Sequence, residues 1–303
     1  MTPSRRTAIA ALLALAASPA LPQAPRPLRV VASFSILADL VRQVGGEAIA
    51  LHTLVGPDAD AHVFEPTPLD ARRLAEAELV VVNGLGFEGW LERLVRASGY
   101  RGPVVVASEG ITPRRLGKAP DPHAWQDLAH TRRYVRNLQA ALAQARPTQA
   151  AAFVQRAAAY DAQLATLDAQ VRKTFAAIAP ARRRVISSHD AFGYFAAAYG
   201  VEFLAAQGLN TDSEASAAAV AQLIAQIRQQ RVSAVFVENI SNPRLVERIA
   251  REGGATLGGR LYSDALSAPG TEADSYLKLF AHNAATLAAG MAGPQGTPRP
   301  AAR

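Results

Sequence analysis

Short apolar runs alternate with helical patterns over the first third of the chain. Leu28 to Ser35 reads LRVVASFS, which is typical of a buried strand, and the apolar residues of Ile36 to Val44 recur at helical spacing. Strands that alternate with helices predict a parallel sheet covered by helices. The further elements predicted in this part are strands at Ala48 to Val55, Glu78 to Asn83 and Pro103 to Ala107, and helices at Thr67 to Ala77 and Phe87 to Ala97.

Two longer helical patterns occupy the middle of the chain. They cover Thr131 to Ala145 and Thr148 to Ile178, and Pro147 separates them because proline breaks a helix. At 1.5 Å per residue the second pattern predicts a helix about 45 Å long. Such a helix is long enough to run along two lobes, so we expect it to be a rigid connection.

Beyond Pro180 the alternation of strands and helices resumes. Strands are predicted at Arg184 to Ser188, Glu202 to Ala205, Ala234 to Val237 and Thr256 to Tyr262, with helices starting near Ala191, Ser216 and Pro243 and a last helix over Glu272 to Ala289. We therefore predict an α/β fold of two lobes, each with a mostly parallel sheet flanked by helices, joined by one long rigid backbone helix. A ligand is expected in the cleft between the lobes, where the carboxyl ends of the strands converge.

The predicted boundaries follow from these patterns. The N-terminal lobe covers residues 28–147, the linking helix 148–178, the C-terminal lobe 179–292, and a flexible tail 293–303. Residues 1–24 predict an export signal, because Arg5 and Arg6 precede an apolar run that ends at two prolines among small residues. This run is shorter than the roughly 20 residues of a membrane span, so a retained anchor is the weaker alternative. We expect a periplasmic protein.

Composition restricts the chemistry that this chain can perform. None of its 303 residues is cysteine, which excludes disulfides, thiolate zinc sites, iron–sulfur clusters and cysteine nucleophiles. A metal site must therefore use His, Asp or Glu. The net charge of +7 comes from cations scattered along the chain, so nucleic acid is not an expected partner.

Three of the six histidines lie in loops that follow predicted strands. They are His62, His123 and His189, and Asp264 has the equivalent place after the last predicted strand. Three imidazoles and one carboxylate, two from each lobe, would form a closed four-coordinate shell suited to Zn²⁺. The majority of nitrogen ligands favours zinc over the harder Mn²⁺.

Acidic residues near these histidines have two possible roles. Asp60 and Glu65 either orient His62 by accepting its ring proton or, for Glu65, cap the following helix. Asp190 and Glu214 likewise either orient a metal-ligating histidine or have a capping or packing role. The remaining histidines are expected outside the site: His52, His130 and His282.

Several segments of the sequence resemble one known family. They are Asp58 to Pro68 (DADAHVFEPTP), Asp121 to Trp125 (DPHAW), Ser188 to Tyr194 (SHDAFGY), Tyr262 to Leu266 (YSDAL) and, more loosely, Asn210 to Ser216 (NTDSEAS). From about Arg29 to Met291 the chain resembles the metal-binding proteins of bacterial ABC importers for zinc and manganese, known as cluster A-I or cluster 9. The resemblance implies a monomeric two-lobed protein that delivers a metal ion to the transmembrane subunit of an ABC permease.

The resemblance also implies ligands at His62, His123, His189 and Asp264. A histidine at the third position is typical of the zinc members, where manganese members commonly have Glu. One departure is that Arg114 to Pro120 is short and contains no histidine, whereas many zinc members have a long His-rich loop there. A separate metallochaperone is therefore a possible partner.

Three other functions remain open at this point. They are a manganese or iron binder of the same fold, a secreted zinc-dependent hydrolase, and an adhesin or structural role. The sequence contains neither H-E-x-x-H nor G-x-S-x-G, and a shell closed by Asp264 leaves no position for a water nucleophile. We therefore predict that the chain is not an enzyme.

Overall fold

The computed structural model of the chain describes residues 26–213, 215–230, 232 and 234–292. The predicted export signal and the predicted tail lie outside the described residues, and so does Glu214.

The N-terminal lobe is built on a sheet of four parallel strands. In chain order these are β1 (Leu28–Phe34), β2 (Ile49–Val55), β3 (Leu79–Val82) and β4 (Val104–Val106), and their order across the sheet is β2-β1-β3-β4. The helices between them are α1 (Ser35–Gly45), α2 (Pro68–Ala75) and α3 (Leu91–Ser98). The strands β1 and β3 are buried on both faces, which explains their nearly continuous apolar sequences.

Helix α2 begins with a capping box. The Thr67 hydroxyl accepts the backbone N–H of Asp70, and the Asp70 carboxylate accepts the backbone N–H of Thr67 at 2.7 Å. Pro68 occupies the first turn, where its missing N–H costs nothing. The cap is thus formed by Thr67 and Asp70, so the alternative that Glu65 caps this helix is wrong.

The segment that the sequence marks as a short loop forms a small antiparallel hairpin. Its strands are β5 (Arg115–Leu116) and β6 (Ala119–Pro120), and the hairpin leads directly into the loop of His123. Gly117, with φ of 60°, supplies the left-handed backbone of the turn.

Two helices follow the hairpin and connect the lobes. They are α4 (Leu128–Ala145) and the linking helix α5 (Ala150–Ala176), with Pro147 in the short turn between them. The 27 residues of α5 make a helix about 40 Å long. Arg132 of α4 donates to both carboxylate oxygens of Asp161 of α5, at 2.8 and 2.7 Å, which holds the two helices side by side.

The C-terminal lobe repeats the architecture of the first lobe. Its strands β7 (Arg184–Ser187), β8 (Glu202–Ala205), β9 (Ala234–Glu238) and β10 (Thr256–Leu261) form a parallel sheet of order β10-β9-β7-β8. Its helices are α6 (Gly193–Tyr199), α7 (Ala217–Gln230), α8 (Pro243–Gly253) and α9 (Tyr276–Ala292). A second apolar cluster fills the space between this sheet and α7 and α8.

One apolar core continues through both lobes and the linking helix. It includes Val44 of α1, Phe153 and Phe175 of α5, Phe195 of α6 and Phe280 of α9. The rings of Phe175 and Phe195 meet edge to face with their centres 5.3 Å apart. Because α5 shares its buried side chains with both lobes, it is part of the core and not a flexible tether.

The observed architecture confirms the predicted fold class. Most helices and strands begin and end within a few residues of their predicted positions, and the last helix starts at Tyr276 instead of Glu272. The backbone N–H of Tyr276 donates to the Asp39 carboxylate at 2.9 Å, which fixes that start. None of the helices formed by the described residues has the length and apolarity that a bilayer span requires.

Candidate metal centre

Four side chains from four loops meet between the two lobes. His62 lies beyond β2, His123 between the hairpin and α4, His189 directly after β7, and Asp264 after β10. One nitrogen or oxygen atom from each side chain can be chosen so that all four atoms lie within 4.8 Å of one another. The carboxyl ends of parallel strands lie at one edge of a sheet, and the two sheets turn these edges toward a shared cleft. The structure thus brings together all four residues that the sequence predicts as ligands.

Asp264 is the centre of this cluster. Its Oδ2 lies 3.1 Å from His62 Nε2 and 3.1 Å from His189 Nε2, and its Oδ1 lies 3.7 Å from His123 Nε2. The Nε2 atoms of His62 and His123 are 3.4 Å apart. The three imidazoles therefore direct the same ring nitrogen toward one carboxylate.

The short contacts of Asp264 with the three imidazoles do not have regular hydrogen-bond geometry. Both oxygens of Asp264 and both ring nitrogens of His189 are buried without a hydrogen-bond partner of acceptable geometry. Unsatisfied buried polar atoms destabilise a protein unless a ligand takes the place of the missing partners. The convergent and unsatisfied atoms match the requirements of a bound cation.

Burial and neighbouring charges shift the pKa values of the cluster in opposite directions. Burial alone would raise the pKa of Asp264, but His189 and His123 outweigh it and hold that pKa well below its ordinary value. Burial alone would lower the pKa of His189, but Glu238 and Asp264 outweigh it and hold that pKa well above its ordinary value. The raised pKa of His189 and the lowered pKa of Asp264 both follow from the close approach of these side chains.

Asp121 orients the second imidazole. Its Oδ1 lies 2.8 Å from His123 Nδ1 and also accepts the backbone N–H of His123 at 3.0 Å. This contact presents His123 Nε2 to the cluster, as a carboxylate does for many metal-bound histidines. Asp121 is part of the DPHAW segment, but its orienting role is not part of the sequence prediction.

Glu238 has the same role for the third imidazole. Its Oε2 lies 2.5 Å from His189 Nδ1, and its Oε1 accepts the backbone N–H of His189 at 2.9 Å. Glu238 is 1% exposed and ends β9, the neighbour of β7 in the sheet. Glu238 is not among the residues predicted from the sequence, although a carboxylate that ends the apolar run AVFV is a signal for it.

Asp60 has a different role from the predicted one. Its Oδ1 accepts the backbone N–H of His62 at 2.9 Å, and its Oδ2 accepts the hydroxyl of Thr211 at 2.5 Å. It therefore fixes the loop of His62 and ties that loop to the C-terminal lobe, but it does not hold the imidazole. The edge of the His62 ring packs against Phe87, with ring centres 4.8 Å apart.

The other residues considered in the sequence analysis lie around the cluster or away from it. Trp125 is fully buried, with its ring centre 5.3 Å from that of His123. Asp190 donates its backbone N–H to Gly208 O, and burial raises the pKa of its carboxyl. The three remaining histidines are not members of the cluster: His52, His130 and His282.

Several hydrogen bonds join the lobes at the rim of the cluster. Trp125 Nε1 and Gln126 Nε2 both donate to Ser263 O, at 2.9 and 2.8 Å, and so attach the loop of His123 to the loop of Asp264. Asn239 Nδ2 donates to Asp58 Oδ1 at 2.9 Å, and the backbone N–H of Asp58 donates to Leu266 O at 2.8 Å. These bonds thus fix the distance between the ligands of the N-terminal lobe and those of the C-terminal lobe.

The fold and the cluster together define a two-lobed metal-binding protein. The family described as "ZnuA: Zinc-uptake complex component A periplasmic" matches residues 30–290, and the chain belongs to this family. Its relatives include metal-binding components of ABC importers, which are not enzymes. This agrees with the predicted class of protein and with the prediction that the chain is not an enzyme.

Known relatives extend over nearly the whole chain. The zinc-binding protein TroA of Treponema pallidum is 34% identical over 276 residues, which cover 88% of this chain and 89% of TroA. The manganese-binding lipoprotein MntA of Bacillus subtilis is 32% identical over 274 residues, 87% of this chain and 90% of MntA. The iron-binding protein YfeA of Yersinia pestis is 28% identical over 270 residues, 88% of this chain and 86% of YfeA.

The fold agrees with a solved structure of the same class. The periplasmic zinc binding protein TroA from Treponema pallidum superposes with a TM-score of 0.85 at 32% identity, covering 88% of this chain and 99% of the TroA chain. The chain is therefore a metal-binding component of an ABC importer. It acts outside the cytoplasm, together with a membrane permease.

Proposed function

We propose that the chain captures Zn²⁺ in the periplasm and delivers it to the transmembrane subunit of an ABC permease. The ion is held by one side chain from each of four loops: His62, His123, His189 and Asp264. The observation that carries this proposal is the convergence of three imidazole Nε2 atoms on one buried carboxylate that has no regular hydrogen bond. Four ligands of these types are the usual closed shell of zinc.

The choice of zinc rests on the donor atoms. TroA is named for zinc, MntA for manganese and YfeA for iron, so the class alone does not select the metal. Manganese prefers an oxygen-rich set, whereas this cluster has three nitrogen donors and one carboxylate. The general affinity order of divalent ions also places zinc above manganese and iron.

The carboxylates behind the imidazoles support a strongly held ion. Asp121 and Glu238 contact the Nδ1 atoms of His123 and His189, which leaves each Nε2 as the donor atom that faces the ion. A divalent cation competes with a proton for His189 Nε2, because Glu238 and Asp264 raise the pKa of this imidazole. Binding of the metal and loss of this proton are therefore coupled.

The remaining parts of the proposal concern export and partners. Residues 1–24 direct the chain to the periplasm, where it acts as a monomer. The hairpin of β5 and β6 offers no histidine that would capture metal from solution, since its residues are Arg115 to Pro120. A separate metallochaperone that loads the site fits this feature.

Equilibrium competition tests the proposed metal. Metal-free protein is titrated with Zn²⁺ and with Mn²⁺ in the presence of a chelator of known affinity for each ion. We expect one tightly bound zinc per chain and weaker manganese binding. The variant His189→Glu replaces one nitrogen donor by oxygen and is expected to reduce the preference for zinc.

Two results would overturn the proposal. One is a wild-type protein that prefers Mn²⁺ over Zn²⁺. The other is unchanged zinc affinity in two of the three variants His62→Ala, His123→Ala and His189→Ala.

A further inference from the structure

The segment before the loop of His123 also contacts the other lobe. Arg114, which directly precedes β5, lies between Asp121 of its own lobe and the first turn of α6. Its Nη1 donates to Gly193 O, and its guanidinium carbon lies 5.8 Å from the centre of the Tyr194 ring. The backbone N–H of Arg114 donates to Tyr194 Oη at 3.0 Å. Arg114 therefore joins the N-terminal lobe to the helix that follows His189.

Asp121 connects this contact to His123. One carboxylate oxygen, Oδ1, faces the His123 imidazole at 2.8 Å, while the other, Oδ2, lies 3.9 Å from Arg114 Nε. The Tyr194 hydroxyl donates to Asp121 O at 2.8 Å, and the backbone N–H of Asp121 donates to Arg114 O at 2.8 Å. A single carboxylate is thus held between a predicted metal ligand and an arginine that contacts the opposite lobe.

Helix α6 touches this pair directly. A Cβ atom built on Gly193 would lie 2.8 Å from Asp121 Oδ2 and 3.2 Å from Arg114 Cζ, which is too close for an undisturbed contact. The absence of a side chain at Gly193 is what lets the helix approach the pair. A displacement of α6 therefore changes the surroundings of both Arg114 and Asp121.

The contact of Arg114 differs from the other bonds that attach the loop of His123 to the C-terminal lobe. Trp125 and Gln126 are fully or almost fully buried where they donate to Ser263 O. The Arg114 side chain is 43% exposed, so water can replace its partners when they withdraw. By comparison, Glu238 orients His189 from within the same lobe and does not depend on the position of the other lobe.

We propose that Arg114 is a positioning residue that couples the approach of the lobes to the orientation of His123. While α6 is in place, Arg114 and Gly193 hold Asp121 against the imidazole. When α6 withdraws, Arg114 loses Gly193 O, Asp121 turns away from His123, and this imidazole releases the metal more easily. This inference rests on the proposed metal site and adds the residue that controls release of the ion.

Dissociation kinetics of the Co²⁺-loaded protein test the role of Arg114. Excess EDTA is added in a stopped-flow instrument, and the visible absorption of bound Co²⁺ is followed. The variant Arg114→Ala is expected to release Co²⁺ roughly 10- to 100-fold faster, the range typical of groups that orient metal-bound histidines. Its absorption spectrum before EDTA is also expected to shift, because His123 changes its orientation. Arg114→Lys, which keeps the positive charge, is expected to restore part of both properties.

The neighbouring arginine provides the matched control. The Arg115 guanidinium donates to Lys118 O at 2.8 Å within the hairpin. Arg115→Ala removes the same charge from the next position. Because the Arg115 contact stays within the hairpin, this variant is expected to leave the Co²⁺ spectrum and the release rate unchanged.

A second variant disturbs the same contact by a change in the C-terminal lobe. Gly193→Ala places a methyl group against Asp121 Oδ2, and faster Co²⁺ release is expected even though alanine favours the helical backbone of α6. Gly208→Ala is its control, because a Cβ at Gly208 meets no atom within 4 Å. If Arg114→Ala does not fold, the comparison of Gly193→Ala with Gly208→Ala tests the proposal instead.

The outcomes separate the two proposals. If the wild-type protein binds neither Zn²⁺ nor Co²⁺, or binds them equally well after His123→Ala, the proposed function fails. If the wild-type protein binds as proposed but Arg114→Ala and Gly193→Ala release Co²⁺ as slowly as their controls, the positioning role of Arg114 is overturned and the metal site stands.

Discussion

The two halves of the metal centre are restrained to different degrees. In the C-terminal half, His189 and Asp264 are fully buried, and Glu238 contacts both the ring and the backbone of His189. In the N-terminal half, Asp121 holds the fully buried His123 in the same way, but His62 precedes Val63, which is 49% exposed. Within the described part of the chain, Asp264 is the only residue whose carboxylate lies within 4.0 Å of the His62 ring nitrogens. The C-terminal half is therefore fixed by its own lobe, while His62 is held mainly through its backbone.

This difference indicates how the affinity is distributed over the ligands. A ligand that is oriented before the metal arrives loses little freedom on binding, and a ligand on a less restrained loop loses more. We expect the C-terminal half to provide most of the affinity and His62 to complete the shell.

The largest predicted effect is the loss of a ligand from the C-terminal half. His189→Ala is expected to weaken zinc binding by orders of magnitude and His62→Ala by clearly less, because His62 is the less restrained ligand. Equilibrium competition with a chelator measures both, and His130→Ala, which changes a histidine on α4, is the control. If His62→Ala loses as much zinc affinity as His189→Ala, or more, the inferred difference between the two halves of the site is contradicted.

The next largest effect concerns the carboxylates that orient two of the imidazoles. Glu238→Gln and Asp121→Asn are each expected to weaken zinc binding roughly 10- to 100-fold. Glu238→Gln is expected to have the greater effect, since Glu238 lies closer to its imidazole, at 2.5 Å from Nδ1 compared with 2.8 Å for Asp121. Glu202→Gln, an exposed change on β8, is the control. A greater effect of Asp121→Asn would show that the N-terminal half is the better restrained one.

The third effect is a dependence on pH. An ordinary histidine pKa predicts loss of metal as the pH falls toward about 6. Burial opposes a charge on His189, but Glu238 and Asp264 hold the pKa of His189 well above its ordinary value. We therefore expect the site to carry a proton at neutral pH before zinc binds. Zinc binding at pH 7 is therefore expected to release about one proton, and the affinity is expected to fall about tenfold per pH unit below that raised pKa.

Calorimetry in buffers of different ionisation enthalpy measures this proton release. Glu238→Gln removes one of the two carboxylates that raise the pKa of His189, so it is expected to reduce the number of protons released. Zinc affinity that stays constant between pH 8 and about pH 6.5, the ordinary histidine pKa, would contradict the raised pKa.

The smallest predicted effect concerns the bond between the loop of His62 and the other lobe. Thr211→Val removes the hydroxyl that donates to Asp60 Oδ2, and the cost expected for one hydrogen bond is about 0.5–1.5 kcal/mol. Zinc release is therefore expected to accelerate by less than roughly tenfold. Thr174→Val, far from the site on α5, is the control. Unchanged release kinetics would mean that this bond does not restrain His62.

Residues that directly follow strands are the part of the site that sequence can predict. A residue after a parallel strand lies at the carboxyl edge of the sheet wherever that strand sits in the sheet. For His189 and Asp264, the local pattern of apolar and polar positions is therefore enough to place them at the cleft. The two lobes and the linking helix follow from the same kind of local pattern.

Contacts that depend on the order of the strands in the sheet cannot be predicted from such local sequence patterns. Glu238 reaches His189 because β9 pairs with β7, while β8 separates these strands in the sequence. The link from Asp60 to Thr211 depends on how the two lobes face each other, so the sequence places Asp60 near His62 but assigns it the wrong contact. The hairpin at Arg115 to Pro120 is two residues per strand, too short for a pattern to be visible.

The apolar core shared by the two lobes has a consequence for recognition at the membrane. Phe175 of α5 packs against Phe195 of α6, and wide separation of the lobes would expose such aromatic side chains to water, at a cost of about 1.5–3 kcal/mol each. We therefore expect the loaded and empty forms to have nearly the same outline, with only a small withdrawal of α6. A permease that selects the loaded form must therefore detect the positions of single loops at the rim of the cleft, and not the overall shape of the molecule.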